Sequence, residues 1–392
     1  MNRIFWITAL IAFINSLSLT ILIPIIYLYG KQFGLNDFQT SLLFSTYSIA
    51  QFFATPVIGK LSDRLGRKPL LIISLAGTVI ANTIAGTANI PSLLFFARFL
   101  DGITGGNASV AQAMISDVTN QKDRAQAFGI YGAALGLGFI LGPAISLVAQ
   151  QISLGTGFLA SGAVAFIAML MTIFLLPETL ENKSTRSTNI FDLGLENLIK
   201  GFAMPGIGIL LLINFCTGTT FTMFTYAFQP YFIQVLDQNS KSLTLLFLTI
   251  GTLGVIMQTW GVSVLSRKFN VVKILFLGLF VRSLSFVLMP VWPSITYFVV
   301  ITIFFALFNA LVQPMISTLI SLNAQPQNQG IALGLNASYL SIANAIGPVI
   351  AGMIVQQSQP ITYGYPLYLA GVLTFVVLAL AIATHKQYSP AI

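Results

Sequence analysis

Charged residues are scarce in this chain. Asp, Glu, Lys and Arg make up 7% of its 392 residues and hydrophobic residues 56%, with a mean hydropathy of +0.88. So little polar surface cannot cover a water-soluble globule of that length, so most of the chain must be solvated by lipid. Cysteine and histidine each occur once, as Cys216 and His385. One of each cannot build an internal disulfide or a Cys/His metal cluster, and no cofactor is expected. A Walker-type phosphate loop is also missing, which excludes ATP as the direct energy source. Acids are the rarer charge, 10 against 18 bases. The surplus bases sit in short loops between apolar runs, the pattern of a membrane-topology signal and not of a nucleic-acid surface.

What the chain has in abundance is apolar runs of membrane-crossing length. About 20 residues of helix span the hydrocarbon core. On that measure twelve spans are expected, near 5–29, 39–60, 69–88, 92–116, 126–148, 156–176, 206–231, 242–264, 271–290, 294–320, 329–355 and 363–384. The fold class is therefore an all-α membrane protein. The first run is too long for the core of a signal peptide and lacks a clear small-residue cleavage site, so it reads as a retained helix. With the amino terminus inside, fourteen of the eighteen Lys and Arg fall on the cytoplasmic side, two outside (Lys31 and Lys241) and two within spans (Arg98 and Arg282). That asymmetry predicts both termini in the cytoplasm.

The sequence also repeats itself. Gln112-Ala-Met114-Ile115-Ser116 returns 201 residues later as Gln313-Pro-Met315-Ile316-Ser317, and Gly142-Pro143 returns 205 residues later as Gly347-Pro348. Two related six-helix halves follow, 1–177 and 204–392. A polar linker at 178–203 joins them, with a short surface helix expected around Leu193 to Ile199.

The densest charge cluster is Gly59 to Lys68, GKLSDRLGRK, between the second and third spans. Gly59 and Gly66 suit a tight turn. Asp63 offers a negative charge, and Arg64, Arg67 and Lys68 form a positive rim near Asp117 and Arg124 at the next loop on that side. The order Gly59-x-Leu61-x-Asp63-Arg64-x-Gly66-Arg67-Lys68 resembles the loop between the second and third helices of major facilitator superfamily transporters. Leu176-Pro177-Glu178-Thr179 resembles the sequence that often closes that family's sixth helix. The resemblance implies two pseudo-symmetric six-helix bundles with a pathway between them, and this loop as a latch. Asp63 would face the start of the eleventh helix near Gln329-Gly330, where unpaired backbone N–H groups favour an anion.

Ionisable groups inside a span are functional candidates by default. Arg98 and Asp101, spaced i, i+3, share a helix face and can pair. At 1.5 Å per residue Asp101 lies about 14 Å into a ~30 Å core. The spacing is compatible with a static ion pair that positions the helix, and with a proton site that loads and releases as its surroundings alternate. Leu94-x-x-x-Arg98-x-x-Asp101-Gly102 resembles the arginine motif of the superfamily's fourth helix, which implies a part in proton coupling. Asp101 stands where that motif usually has a neutral polar residue.

The fifth span carries glycines at 129, 132, 136, 138 and 142, followed by Pro143. The pairs Gly132/Gly136 and Gly138/Gly142 are spaced to let a neighbouring helix approach closely, and Pro143 removes a helical hydrogen bond. Gly129-x8-Gly138-x3-Gly142-Pro143 resembles the antiporter motif of the family's drug exporters, with Ser146-Leu147 replacing its final glycine pair.

By the same resemblance the first, fourth, seventh and tenth helices line the cavity. Its candidate lining residues are Asn15, Ser16, Asn107, Gln112, Phe221, Phe224, Tyr226, Gln229, Asn309 and Gln313. An amide at Asn15 can hydrogen-bond a substrate but carries no proton at neutral pH, which leaves that load to Asp101. Arg282 has no acidic partner within the spans of its own half and reads as structural in preference to an anion site. The segment RFLDGITGGNASVAQAMISD, Arg98 to Asp117, carries the nearest likeness to the drug:proton antiporters, in the branch containing tetracycline exporters. The implied activity is export of small amphipathic compounds in exchange for protons, by a monomer in a bacterial inner membrane whose partners are the substrate and membrane lipid. Transport of a metabolite or siderophore, outward or inward, is the alternative within this class. A membrane receptor or enzyme is the reading from another class.

Overall fold

The computed structural model describes residues 3–119, 124–180, 195–324 and 329–388, which contain helices and no strand. Helices are what lipid demands, because a backbone N–H or C=O in hydrocarbon has to find its partner within its own segment. The chain divides into two compact units, Met1–Leu35 with Thr46–Leu193, and Asn36–Ser45 with Gly194–Ile392. Its helices are α1 (Arg3–Leu22), α2 (Ile26–Gln32), α3 (Asp37–Leu65), α4 (Arg67–Gly86), α5 (Pro91–Thr104), α6 (Asn107–Asp117), α7 (Arg124–Ala149) and α8 (Leu154–Leu175). There follow α9 (Leu195–Phe202), α10 (Ile207–Pro230), α11 (Ser240–Ile256), α12 (Val262–Ser266), α13 (Val271–Leu288), α14 (Ile295–Asn323), α15 (Gln329–Ile354) and α16 (Tyr365–Thr384). Helix α9 lies where the short linker helix is expected, while 181–194 fall outside the described residues.

Among the described residues, eleven helices are long and apolar enough to cross a membrane, one fewer than the twelve runs expected. The difference arises at 92–116. This run is two helices, α5 of 14 residues and α6 of 11, parted at Gly105 and Gly106. Successive glycines are poor helix formers. The Gly105 carbonyl beside the break accepts a hydrogen bond from Nε2 of Gln51 at 3.0 Å, which replaces a partner that lipid cannot supply.

The Gly59–Lys68 stretch also differs from expectation. Helix α3 runs through it as far as Leu65, and Gly66 alone leaves the helix, at φ +117°. Helix α4 begins at the next residue. Gly59 is helical and has open space beside it, so it takes no part in the turn. A single residue in a conformation that only glycine adopts freely is enough.

In the first unit α1 packs against α7 and α8, and α4 against α5 and α8. The contact of α1 with α7 depends on Gly138 and Gly142. A Cβ at Gly138 would come within 2.2 Å of the Ser16 hydroxyl, and one at Gly142 within 2.0 Å of the Thr20 hydroxyl. Those hydroxyls use the closeness: Ser16 donates to the Leu135 carbonyl at 2.9 Å and Thr20 to the Gly138 carbonyl at 2.7 Å. Gly132, expected to serve the same purpose, has nothing within 4 Å, and neither has Gly129.

The second unit repeats the device. Gly347 lies against Thr222, whose hydroxyl donates to the Ala343 carbonyl at 2.9 Å. The internal repeat thus extends from letters to packing. Beside the aliphatic core of this unit lies an aromatic cluster, with Phe224 against Phe228, Phe286 and Phe305. The first turn of α3 belongs here too. The Tyr226 hydroxyl donates to the main-chain oxygen of Asp37, and the Tyr363 hydroxyl to its Oδ2 at 3.1 Å.

Candidate functional site

Helix α5 presents Arg98 and Asp101 on one face, both buried, Asp101 to 2% exposure. Nη1 of Arg98 lies 3.2 Å from Oδ2 of Asp101. The Thr78 hydroxyl of α4 hydrogen-bonds the same carboxyl, and the Arg98 guanidinium sits 4.4 Å from the centre of the Tyr47 ring of α3. Removing either ion from water costs several kcal/mol. The pair offsets that cost, and a desolvated cation over an aromatic face adds about 2 kcal/mol. The compensation is incomplete, because Nε of Arg98 is buried without a hydrogen-bond partner.

Close helix packing holds the pair in place. A Cβ on Gly102 would meet the Tyr47 carbonyl oxygen at 2.4 Å, and one on Gly106 would meet the Ile58 side chain at 2.3 Å. Both contacts press the α5–α6 stretch against α3. One turn beyond Asp101 the helix breaks, and the restart at Asn107 aims that side chain at α1. Its Nδ2 donates to Oδ1 of Asn15 at 2.7 Å, with both residues buried. Two candidate lining residues far apart in sequence are therefore a hydrogen-bonded pair. Tyr47 and Thr78 carry no motif, so the sequence held no sign of their part.

The basic cluster centres on Arg67. Its Nη1 lies 2.5 Å from Oδ1 of Asp63 and donates to the Ser62 hydroxyl at 2.7 Å. Its Nε donates to Oδ2 of Asp117 at 3.1 Å. One guanidinium thereby ties the end of α3 and the end of α6 to the start of α4. The side chain of Arg124 lies outside the described residues, as do those at the start of α15.

Glu178, to which the sequence assigns no contact, joins this cluster. Its carboxylate accepts from the backbone amides of Arg67 at 2.9 Å and Lys68 at 3.2 Å, and from those of Thr179 and Leu180. The first two are N–H groups at the amino end of α4 that have no partner within the helix, where a negative charge is favoured. Burial opposes ionisation of Glu178, yet the amides of Leu180, Arg67, Lys68 and Thr179 together hold its carboxyl below its ordinary value. The Leu176–Thr179 motif was the available signal. It did not say what the acid touches.

Several expected lining residues are committed to packing. Ser16 bonds to α7. Phe224 is enclosed by its aromatic neighbours, and Tyr226 reaches Asp37. Gln229 is fully buried, with Nε2 on the Thr225 carbonyl and Oε1 without a partner. Phe221 is 37% exposed, Asn309 and Gln313 are half-buried, and Gln112 is exposed. Arg282 is buried between Phe221 and Phe286, and donates to the Thr217 carbonyl and to the Thr220 hydroxyl at 2.9 Å.

Comparison with known proteins agrees with this construction. Residues 8–258 and 210–391 match the family described as the Major Facilitator Superfamily. The class B tetracycline resistance protein of Escherichia coli is 25% identical, covering 97% of this chain and 95% of its own. The quinolone resistance protein NorA of Staphylococcus aureus is 25% identical, covering 96% and 97%. A solved bacterial homolog of the human lysosomal transporter Spinster superposes with a TM-score of 0.80 at 15% identity, covering 99% of this chain and 98% of that one, a likeness of fold. With the family match reaching from residue 8 to residue 391, this chain belongs to the Major Facilitator Superfamily.

Proposed function

We propose that this chain is a proton-coupled exporter of small amphipathic compounds, working by alternating access in a bacterial inner membrane with both termini in the cytoplasm. One observation carries the reading. A buried carboxylate, Asp101, is paired with a guanidinium whose own hydrogen bonding is incomplete, one turn before a break in its helix. Discontinuous helices with polar groups near mid-membrane are the usual form of coupling sites in secondary transporters.

In the ionised state Asp101 holds Arg98 and accepts from Thr78. Protonation of the carboxyl removes most of the attraction for Arg98, leaving the guanidinium to the Tyr47 ring. The break at Gly105–Gly106 lets α5 and α6 change their mutual angle, and with it the Asn107–Asn15 contact. The cluster of Asp63, Arg67 and Asp117 acts as the latch of the cycle, with Asp63 reaching for the amino end of α15 in one of its states. The two halves, 1–177 and 204–392, move about the linker, and the protein works as a monomer. Gly138 and Gly142 let α7 lie close against α1, and Pro143 removes a helical hydrogen bond where α7 can bend. Phe221, Asn309 and Gln313 keep enough exposure to meet a substrate.

The relatives are named for resistance to tetracycline and to quinolones, which makes those compounds the first to test. Proteoliposomes acidic inside should accumulate tetracycline or a quinolone against its gradient, and Asp101→Asn should abolish the accumulation. A variant that accumulates as well as the parent would sink the proton-site assignment. Compound movement in the same direction as the proton would turn the reading to import.

A further inference from the structure

Outside the site just described, the first unit has a cavity of about 480 Å³ where the amino end of α1, the amino end of α4 and the carboxyl end of α8 meet. It is lined by Arg3, Ile4, Ile7, Lys68 and the stretch 174–177. The lining divides by chemistry. Arg3 and Lys68 supply two positive charges, Ile4, Ile7, Phe174, Leu175 and Leu176 an apolar wall, and none of the described lining residues is acidic, the nearby Glu178 carboxylate being turned to the backbone amides of Arg67 and Lys68. Phe174 is 77% exposed, so the wall runs on into surface that faces hydrocarbon in a membrane-embedded chain.

The two cations have hydrogen-bonding capacity to spare. Lys68 Nζ donates to the Ile173 carbonyl at 2.8 Å, which leaves two of its three N–H groups. Arg3 makes no hydrogen bond or ion pair with any of the described residues, and all five of its donors are free for a ligand. Trp6, one turn along α1, is 55% exposed, as suits an aromatic residue at the level of lipid headgroups.

We propose that this cavity binds an anionic phospholipid, its phosphate held by Arg3 and Lys68 and its acyl chains lying along Ile4, Ile7, Phe174 and Leu175. Charge complementarity selects the headgroup. A zwitterionic lipid would bring its own cation up to two uncompensated positive charges, whereas phosphatidylglycerol brings none. Basic pockets between spanning helices take anionic headgroups on this principle. The apolar wall distinguishes a lipid from a free phosphate, which would gain nothing from it. Such a lipid would staple α1, α4 and α8 beside the Gly66 turn. The proposal needs the chain to lie in a bilayer but does not depend on what it transports.

The test is lipid retention by the purified full-length protein, with native mass spectrometry as the readout after exchange against mixed phosphatidylglycerol and phosphatidylcholine. Phosphatidylglycerol should be retained in preference. Arg3→Gln should weaken that preference roughly fivefold, the worth of one basic side chain near an anionic lipid, and Arg3→Lys should largely keep it. Lys68→Gln should act like Arg3→Gln. If it disturbs the end of α8 and fails to fold, Arg3→Gln decides alone, since that side chain holds none of the other described residues. Lys386→Gln controls for bulk charge and should change nothing. Equal retention of the two lipids would overturn the proposal. So would indifference to Arg3→Gln, an equal loss with Lys386→Gln, or glycerol phosphate alone matching the thermal stabilisation given by the lipid.

Discussion

The carboxylate of Glu178 occupies the space that a side chain on Gly66 would need: a Cβ there would lie 2.4 Å from Oε2. The turn between α3 and α4 is thus closed by an acid from just beyond α8, and the glycine is required twice, for room and for its φ of +117°. Gly66→Ala should cost about 2 kcal/mol, the order of strain for a non-glycine residue held in such a region. Thermal unfolding of the purified variant measures it. A melting temperature equal to that of the parent would mean that the turn relaxes freely.

Glu178→Gln tests the cap itself. The carboxyl is held below its ordinary value, so its contribution is fully present above the unfolded-state value of 4.5 and is lost as pH falls through the lower folded value. The stability difference between parent and variant should therefore be flat from pH 8 to pH 5 and shrink only in stronger acid. Its size should be about 1 kcal/mol or less, as for loss of an exposed helix cap. A difference that already shrinks on going from pH 8 to pH 6 would contradict this assignment.

Arg98 and Asp101 should be strongly non-additive. Arg98→Ala leaves a buried carboxylate without its cation, a cost of roughly 3–5 kcal/mol in buried pairs. The double variant Arg98→Ala with Asp101→Ala removes both charges and should be more stable than the single one. Unfolding in mixed micelles provides the cycle. A double variant less stable than either single one would show that the pair is a net anchor for α5.

The glycines of α7 should divide into two kinds. Gly142→Ala presses a methyl group onto Thr20, and overpacking of that sort costs roughly 1–3 kcal/mol. Gly132→Ala enters open space and should stay within about 0.5 kcal/mol of the parent. Equal changes at the two positions would mean that contact with α1 does not govern this stretch, since helix propensity alone would make both variants more stable.

Asp63→Asn separates folding from transport. Arg67 keeps Asp117 and Ser62 in the variant. The Asp63 side chain is 50% exposed, and exposed ion pairs contribute little to stability. Insertion and melting temperature should be nearly unchanged while substrate flux falls at least tenfold if Asp63 is the latch. Unchanged flux would remove Asp63 from the cycle.

The spanning helices, the internal repeat and the buried pair on α5 were legible in the sequence because each depends on local spacing. Lipid forces the backbone to satisfy itself within a helix, so apolar length translates directly into a span. An i, i+3 pair meets wherever its helix forms. The broken span at Gly105–Gly106 was written as two adjacent glycines, yet whether such a pair bends, packs or breaks a helix depends on what donates to the freed carbonyl. That donor, Gln51, lies on another helix.

Order along the chain therefore determined which segments enter the membrane, how the halves correspond and which charges are confined to α5. Only the tertiary fold decided that Glu178 caps a helix 111 residues earlier at Arg67, that Tyr47 faces Arg98, and that Asn107 meets Asn15. The physical reason is that helix formation is a contract between near neighbours, whereas the partner of a buried polar group is chosen by whichever side chains packing brings within about 3 Å, and spacing along one helix carries no record of them.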